Sequence, residues 1–141
     1  MKIPDANVLL YARDSSAAHH ATARGWLEEA LSGSEPVGFA IVVLLAFLRI
    51  STNARILASP LPVAAAFDQL EDWLAQRPAS LVQPGPLHVG ILRGLLEAAG
   101  ASGNLTTDAH LAALAIEHRA TLASFDGDLH RFNQLRLEYL R

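Results

Sequence analysis

The sequence predicts an α/β fold built around a mostly parallel sheet. Short apolar segments alternate along the chain with longer segments in which apolar residues recur at helical spacing. Proline and glycine fall singly between these segments, and no internal repeat or low-complexity linker interrupts them. Strands that alternate with helices are typical of parallel sheets, because a helix returns the chain to the edge where the next strand begins. The 141 residues are therefore expected to form a single domain, residues 1–141.

The chain begins with a short predicted strand, Lys2 to Pro4, followed by a turn at Asp5. The apolar run from Val8 to Ala12 predicts a short helix. A second helix is predicted further on, with an apolar face formed by Ala23, Trp26, Leu27 and Ala30. Gly33 is expected to end this helix, because glycine is common directly after a helix.

The middle of the chain adds two strands and two helices. Val37 to Phe39 predicts the second strand, and the apolar run Ile41 to Ile50 predicts a buried helix. Pro62 suits the first turn of the next helix, whose apolar face is Phe67, Leu70, Trp73 and Leu74. Ser80 to Gln83 is the candidate third strand.

The last third contains two more helices and two more strands. Pro86 is expected to open a helix that stops at Gly100, with Ile91, Leu92, Leu95 and Leu96 on its apolar face. After a turn at Gly103-Asn104, Thr107 and Asp108 are predicted to lie in the first turn of a helix that runs to His118. The remaining elements are a strand at Thr121 to Phe125, a turn at residues 126–128, and a strand at Leu135 to Tyr139.

Acidic residues stand where such a fold would place a binding site. Ligands of open parallel sheets bind beyond the carboxyl ends of the strands. This rule selects Asp5, after the first strand, and Asp126, after the fourth, with Asp128 two residues later. Asp108 opens a helix whose following turns are apolar, so its carboxylate is expected at the same edge. Each acid alone has a simpler role as a helix cap or turn residue.

Together, these acids predict a metal site. Converging carboxylates raise one another's pKa unless a cation neutralises them. The chain has no cysteine, which excludes thiolate zinc sites, disulfide scaffolds and cysteine nucleophiles. Carboxylate and amide oxygens favour Mg²⁺ or Mn²⁺ over zinc. Carboxylate-held Mg²⁺ usually serves phosphoryl chemistry, and such a site needs no serine or histidine nucleophile.

Composition limits the other classes of function. With 51% apolar and 18% charged residues, the chain is not a disordered tail. A net charge of −3 argues against a simple basic nucleic-acid binder. The longest apolar stretch, residues 39–48, is far shorter than the roughly 20 residues of a membrane span, and no signal peptide is visible, so a cytoplasmic protein is expected.

Four segments resemble the PIN domain family, and within it the VapC toxins of type II toxin–antitoxin pairs. They occur in the family's order and cover nearly the whole chain: residues 3–12 (IPDANVLLYA), 47–53 (FLRISTN), 103–115 (GNLTTDAHLAALA) and 120–128 (ATLASFDGD). The resemblance implies a three-layer α/β/α fold and an endoribonuclease that uses Mg²⁺, with Mn²⁺ as a substitute. It also implies a cognate antitoxin partner, an RNA substrate, a homodimer and no membrane association.

The resemblance also assigns roles to individual residues. The family's three acids map onto Asp5, Asp108 and Asp126, as catalytic residues and metal ligands. Asp128 maps as an auxiliary metal ligand. Asn7 matches a polar position that supports the first acid in the family. Apart from the resemblance, Thr107 and Ser124 are candidates to bind water or metal near Asp108 and Asp126, with simple capping and strand roles as the alternative. Arg49, an isolated charge on an apolar helix, is a candidate RNA contact or an exposed residue at the end of that helix.

The chain departs from the family at one position. PIN domains usually carry a glutamate on the helix before the arginine that aligns with Arg49, and here that position falls on Ala46 or Leu44. Neither side chain can bind a metal, so the number of ions stays open. The missing glutamate also supports a second hypothesis, that the chain is a degenerate PIN module that binds RNA or a protein without cleavage.

A third hypothesis, an aspartyl-phosphate phosphatase or receiver-like domain, fits the chain less well. Such proteins also place an aspartate after the first strand, but they need a lysine on the far side of the phosphate. Lys2 is the only lysine, and it precedes Asp5.

Overall fold

The computed structural model describes residues 1–100, 103 and 105–141. Its strands are β1 (Lys2–Pro4), β2 (Val37–Ala40), β3 (Ala79–Val82), β4 (Thr121–Ser124) and β5 (Arg136–Tyr139). They form one five-stranded sheet in the order β3-β2-β1-β4-β5, and every neighbouring pair is parallel. The predicted mostly parallel sheet is therefore confirmed, and within the described residues it contains no antiparallel pair.

Six helices and a short 3₁₀ helix surround this sheet. They are α1 (Ala6–Arg13), α2 (His20–Ser32), α3 (Ile41–Ser51), α4 (Val63–Leu74), α5 (His88–Ala99), α6 (Leu105–Glu117) and the 3₁₀ helix Gly127–Arg131. α1 packs against α2 and α3, α3 packs against α4, and α5 packs against α6. The three-layer α/β fold is confirmed.

Two predicted helix ends are confirmed, but their backbones differ. α5 ends at Gly100, which adopts the left-handed conformation with φ of 63° that favours glycine. α2 ends at Gly33, yet the φ of Gly33 is −84° and its ψ is −171°, which is ordinary extended backbone. The glycine at the end of α2 is therefore not required by a left-handed turn.

The prediction that the helix at residues 41–50 is buried is wrong in part. Val43, Leu44 and Phe47 of α3 lie in the core, but Ile41 and Leu45 are 45% and 56% exposed. α3 belongs to an outer layer, and a helix in that position buries only one of its faces. Because both faces of α3 are apolar, the sequence pattern did not distinguish them.

The turn predicted at residues 126–128 is also different in detail. Asp126 caps the 3₁₀ helix, because its carboxylate accepts a hydrogen bond from the backbone N–H of Asp128. In the turn predicted at Gly103-Asn104, Gly103 has a φ of 66°, whereas Asn104 lies outside the described residues.

The order of the strands positions the candidate site. β1 is central, with β2 and β3 on one side and β4 and β5 on the other, so the strand order reverses between β1 and β4. Pro4 at the end of β1 is in register with Ala123 of β4. The backbone N–H of Asp5 continues this pairing by donating to the Ala123 carbonyl at 2.9 Å. A reversal of this kind opens a crevice at the carboxyl edge of the sheet, where ligands bind.

Buried apolar side chains hold the two strands at this crevice. Ile3 and Leu122, which are in register on β1 and β4, are fully buried, as is Phe39 on β2.

Among the described residues, no helix is long and apolar enough to cross a membrane.

Candidate functional site

Asp5 connects the end of β1 to the start of α1. Its Oδ1 accepts a hydrogen bond of 2.7 Å from the backbone N–H of Ala6, so the carboxylate caps α1. Its Oδ2 accepts a bond of 2.7 Å from the hydroxyl of Ser124, at the end of β4. The simple role, a helix cap, is therefore confirmed, but the bond to Ser124 also fixes Asp5 across the crevice.

A polar network holds Asp5 in place. The hydroxyl of Ser124 is fully buried and accepts bonds from the backbone N–H of Asp126, at 3.0 Å, and from the side-chain amide of Asn7, at 3.1 Å. The Asn7 carbonyl oxygen accepts from the backbone N–H of Phe125 at 3.1 Å. Asn7 and Ser124 thus connect the ends of β1 and β4 through side-chain hydrogen bonds.

Asp126 and Asp128 follow β4 directly. Asp126 Oδ1 accepts a hydrogen bond of 2.9 Å from the backbone N–H of Asp128. Within the described residues Asp126 Oδ2 accepts no hydrogen bond, so this oxygen is available to a ligand. Asp128 is exposed in the first turn of the 3₁₀ helix.

The three predicted acids interact electrostatically. Burial raises the pKa of the Asp108 carboxyl, and the negative charges of Asp126, Asp5 and Asp128 raise it further, whereas the positive charge of Arg131 opposes the change. α6 carries Asp108 in its first turn, and the charges of the strand-end acids act on it there. Asp5, Asp108, Asp126 and Asp128 are called the acid cluster below.

Burial also raises the pKa of Asp5, despite its hydrogen bonds. The bonds from Ser124 and Ala6 favour the charged carboxylate and oppose the increase, and the charge of Asp126 adds to it. Two carboxylates with raised pKa values at one crevice are costly to keep ionised without a cation. The electrostatics therefore fit a site that binds positive charge.

The geometry indicates which kind of ion fits. Within the described residues, no three His, Asp or Glu side chains already lie close enough to form a complete metal cage. Mg²⁺ does not need one, because it keeps several of its waters and binds proteins through one or two carboxylates. The acid cluster fits such a hydrated ion better than a fully dehydrated one.

The helix that departs from the family pattern contributes nothing to this cluster. No Asp or Glu occurs anywhere in residues 41–51, so α3 supplies no carboxylate in any alignment register. Leu44 is buried in the core and Ala46 is partly buried.

Two predicted site residues gain little support, and one arginine was missed. Thr107 and Arg49 are exposed, and neither donates or accepts a side-chain hydrogen bond in the part of the chain that the structure describes. The arginine whose charge acts on Asp108 is Arg131, at the end of the 3₁₀ helix. The only sequence signal for Arg131 was its position three residues after Asp128. That spacing indicates a site residue only when the two residues are known to share a 3₁₀ helix.

Known proteins match the chain along almost its whole length. The PIN domain model matches residues 2–135. Ribonuclease VapC37 of Mycobacterium tuberculosis is 51% identical over 136 residues, which cover 96% of this chain and 94% of the relative. Ribonuclease VapC33 of the same species is 42% identical, with coverage of 96% and 95%.

Solved structures share the fold. The structure of VapBC2 from Rickettsia felis, bound to a DNA fragment from its promoter, aligns with a TM-score of 0.71 and 20% identity. The alignment covers 99% of this chain and 98% of the matched one. The VapBC-1 structure of nontypeable Haemophilus influenzae aligns with a TM-score of 0.67 and 15% identity, covering 98% and 96%. At these identities the likeness concerns the fold.

Proposed function

The chain belongs to the PIN domain family, among the VapC ribonucleases, and from this premise we propose that its acid cluster hydrolyses RNA phosphodiester bonds with a bound divalent ion. The observation that carries the proposal is that Asp5 and Asp126 follow β1 and β4 at one crevice, where the buried Ser124 hydroxyl donates to Asp5 and accepts from the backbone N–H of Asp126. Relatives of this family are generally dependent on divalent metals, and we propose Mg²⁺, with Mn²⁺ as a substitute.

Each residue of the cluster has a distinct role in this proposal. Asp5, Asp108 and Asp126 hold the ion, and Asp128 is the auxiliary ligand. When bound, a divalent ion acidifies water and neutralises negative charge on the scissile phosphate and its leaving oxygen. Ser124 and Asn7 keep the Asp5 carboxylate oriented through the bonds at its Oδ2.

The proposal extends to partners and surroundings. The solved relatives are VapBC pairs, which supports a cognate antitoxin for this chain. We further propose that residues 1–141 form one PIN domain and that the protein acts as a homodimer on RNA in the cytoplasm. Thr107 and Arg49 remain candidates for a supporting and an RNA-binding role.

A second function is favoured by one observation, the absence of any carboxylate on α3. A cluster with too few ligands could leave a degenerate PIN module that binds RNA or a protein without cutting. Titration of Mn²⁺ or Mg²⁺ into the protein separates the two functions. Metal binding that Asp126→Asn abolishes supports the nuclease, whereas an absence of binding supports the degenerate module.

Cleavage of purified RNA tests the nuclease directly. The wild-type protein is expected to cut in Mg²⁺ or Mn²⁺ and to stop in a chelator. Asp108→Asn should lower the rate by more than about 100-fold, since even the outer partners of metal ligands contribute about 10–100-fold. Asp68→Asn, the same change at an exposed site on α4, is the matched control and should leave the rate unchanged. If the wild type cuts no RNA with either metal, the nuclease proposal is wrong.

A further inference from the structure

Arg131 has a fixed position next to the acid cluster. It ends the 3₁₀ helix, and its Nε donates a hydrogen bond of 3.0 Å to the carbonyl of Asp128. This bond fixes the guanidinium beside Asp128, a member of the acid cluster. Arg131 is nevertheless exposed, and it forms no ion pair with any carboxylate of residues 1–100, 103 and 105–141.

The remaining donors of Arg131 are available to an outside group. A guanidinium has five N–H donors, and the bond from Nε leaves the four on its terminal nitrogens. These donors match two oxygens of a phosphate, in the paired geometry that arginine favours. A cation anchored by its Nε, with its terminal nitrogens unpaired, is arranged to receive an anion.

A groove runs from Arg131 along α5. It has a volume of about 400 Å³, and its walls are α5 on one side and residues 131–134 on the other. Gly90 and Gly94 line it on successive turns of α5, and a Cβ atom added at either would meet nothing within 4 Å. The opposite wall carries the side chains of Asn133 and Gln134 beside Arg131. The groove is thus open along α5 and carries polar side chains on the opposite wall.

We propose that Arg131 binds a backbone phosphate of the RNA and that the RNA strand continues from the acid cluster into the α5 groove. This inference rests on the proposed function, because it identifies the substrate path to the same site. The charge balance supports it: the acid cluster repels RNA, and the chain carries a net charge of −3, so a positive group beside the cluster is needed to hold a phosphate there. Asn133 and Gln134 add amide groups that can contact sugar and phosphate oxygens.

RNA binding tests the role of Arg131 apart from cleavage. The non-cleaving Asp108→Asn protein is titrated with a short single-stranded RNA in Mg²⁺, and affinity is followed by fluorescence anisotropy at several salt concentrations. Adding Arg131→Gln should weaken binding by about 10- to 100-fold, because a hydrogen bond to a charged group contributes about 1.5–3 kcal/mol and about 1.4 kcal/mol corresponds to tenfold. The slope of log affinity against log salt should fall by about 0.7, the value for one phosphate of a single strand.

Two further variants separate phosphate binding from a structural role. Arg77→Gln removes the same charge just before β3, at the opposite edge of the sheet, and should change neither affinity nor slope. Arg131→Lys keeps the charge but loses the paired donors, so it should restore the salt slope and only part of the affinity. A residue that merely offsets repulsion among the acids would leave the salt slope unchanged in every variant.

Matched glycine variants test the groove. Gly94→Gln places a side chain in the groove and should weaken RNA binding at least as much as Arg131→Gln. Gly25→Gln is the control, because Gly25 is exposed on α2 and its added Cβ also meets nothing within 4 Å. Both variants should fold, since glycine is the less favourable residue inside a helix by about 1 kcal/mol.

The outcomes distinguish this inference from the proposed function. If Arg131→Gln keeps the affinity and the salt slope, or if Gly94→Gln binds RNA as well as Gly25→Gln, the proposed path is wrong even when the wild type cuts RNA. If RNA binds through Arg131 but is never cut, the nuclease proposal alone fails. If the Asp108→Asn protein binds no RNA, the proposed path is wrong, and cleavage by the wild type decides the nuclease proposal separately.

Discussion

Removal of a single hydroxyl, in Ser124→Ala, is expected to remove the hydrogen bonds that hold Asp5 and Asp126 and to destabilise the protein. This hydroxyl is fully buried, donates to Asp5 Oδ2 at 2.7 Å, and accepts the backbone N–H of Asp126 at 3.0 Å. Alanine has nearly the same shape but offers neither the donor nor the acceptor. The variant therefore removes polar contacts at the crevice without creating a large cavity.

The magnitude follows from these contacts. A hydrogen bond to a charged group contributes about 1.5–3 kcal/mol, and a buried N–H left without its acceptor adds to the loss. We expect the free energy of unfolding to fall by about 2–3 kcal/mol. At this chain length about 4 °C of melting temperature corresponds to 1 kcal/mol, so the melting temperature should fall by about 8–12 °C.

Urea unfolding of the metal-free protein measures this change. The midpoint should fall while the slope stays constant, as expected when stability changes and the two end states do not. Ser80→Ala, at an exposed position on β3, is the matched control and should change the free energy of unfolding by less than about 0.5 kcal/mol. If Ser124→Ala is no more destabilising than Ser80→Ala, the hydroxyl does not hold Asp5 as described.

Three further variants test other parts of the structure. Asp108→Asn should raise the melting temperature of the metal-free protein at pH 7, because the raised pKa of Asp108 makes its ionisation unfavourable in the folded state; the difference should vanish below about pH 3.9. Glu117→Gln should lower the melting temperature at pH 7, because hydrogen bonds from the backbone N–H groups of Gly85 and Leu87 stabilise the charged carboxylate and lower the pKa of Glu117. This stabilisation of the wild type is lost as pH falls through the lowered pKa. Phe47→Ala should lower the free energy of unfolding, measured in urea, by about 3–5 kcal/mol, because the ring is fully buried.

Much of the fold could be predicted because local signals agreed with it. The run from Lys2 to Pro4 and the glycine at position 100 mark element ends that the structure retains. The exposed face of α3 could not be predicted, because apolar residues cover both of its faces and only the neighbouring layers decide which one is buried. Strand order was likewise beyond periodicity, which reports local faces and not which strands pair.

Part of the candidate site could likewise be predicted from the sequence, and part of it could not. The positions of Asp5 and Asp126 followed from the rule for parallel strand ends, and Asp108 followed from the start of its helix. Their coupling depended on the order β2-β1-β4, which brings distant segments together. Arg131 was missed because its meaning depends on a 3₁₀ helix that the sequence pattern presented as a turn.

The net charge is now interpreted differently. At −3 the chain looked unsuited to nucleic acid, yet four of its seven aspartates form the acid cluster. A single divalent ion would bring the net charge to −1, and two would bring it to +1, at the place where RNA must approach. Because α3 adds no carboxylate, the anchored charge of Arg131 matters most if only one ion binds.

The acid cluster is expected to cut RNA only when it holds a divalent ion. The most direct measurement follows bound Mn²⁺ by electron paramagnetic resonance and RNA cleavage in the same samples, for the wild type and Asp126→Asn. Cleavage by the wild type should rise in proportion to the bound ion, and the variant should lose both. Cleavage that persists in a chelator, or that Asp126→Asn retains after losing the ion, would contradict the claim.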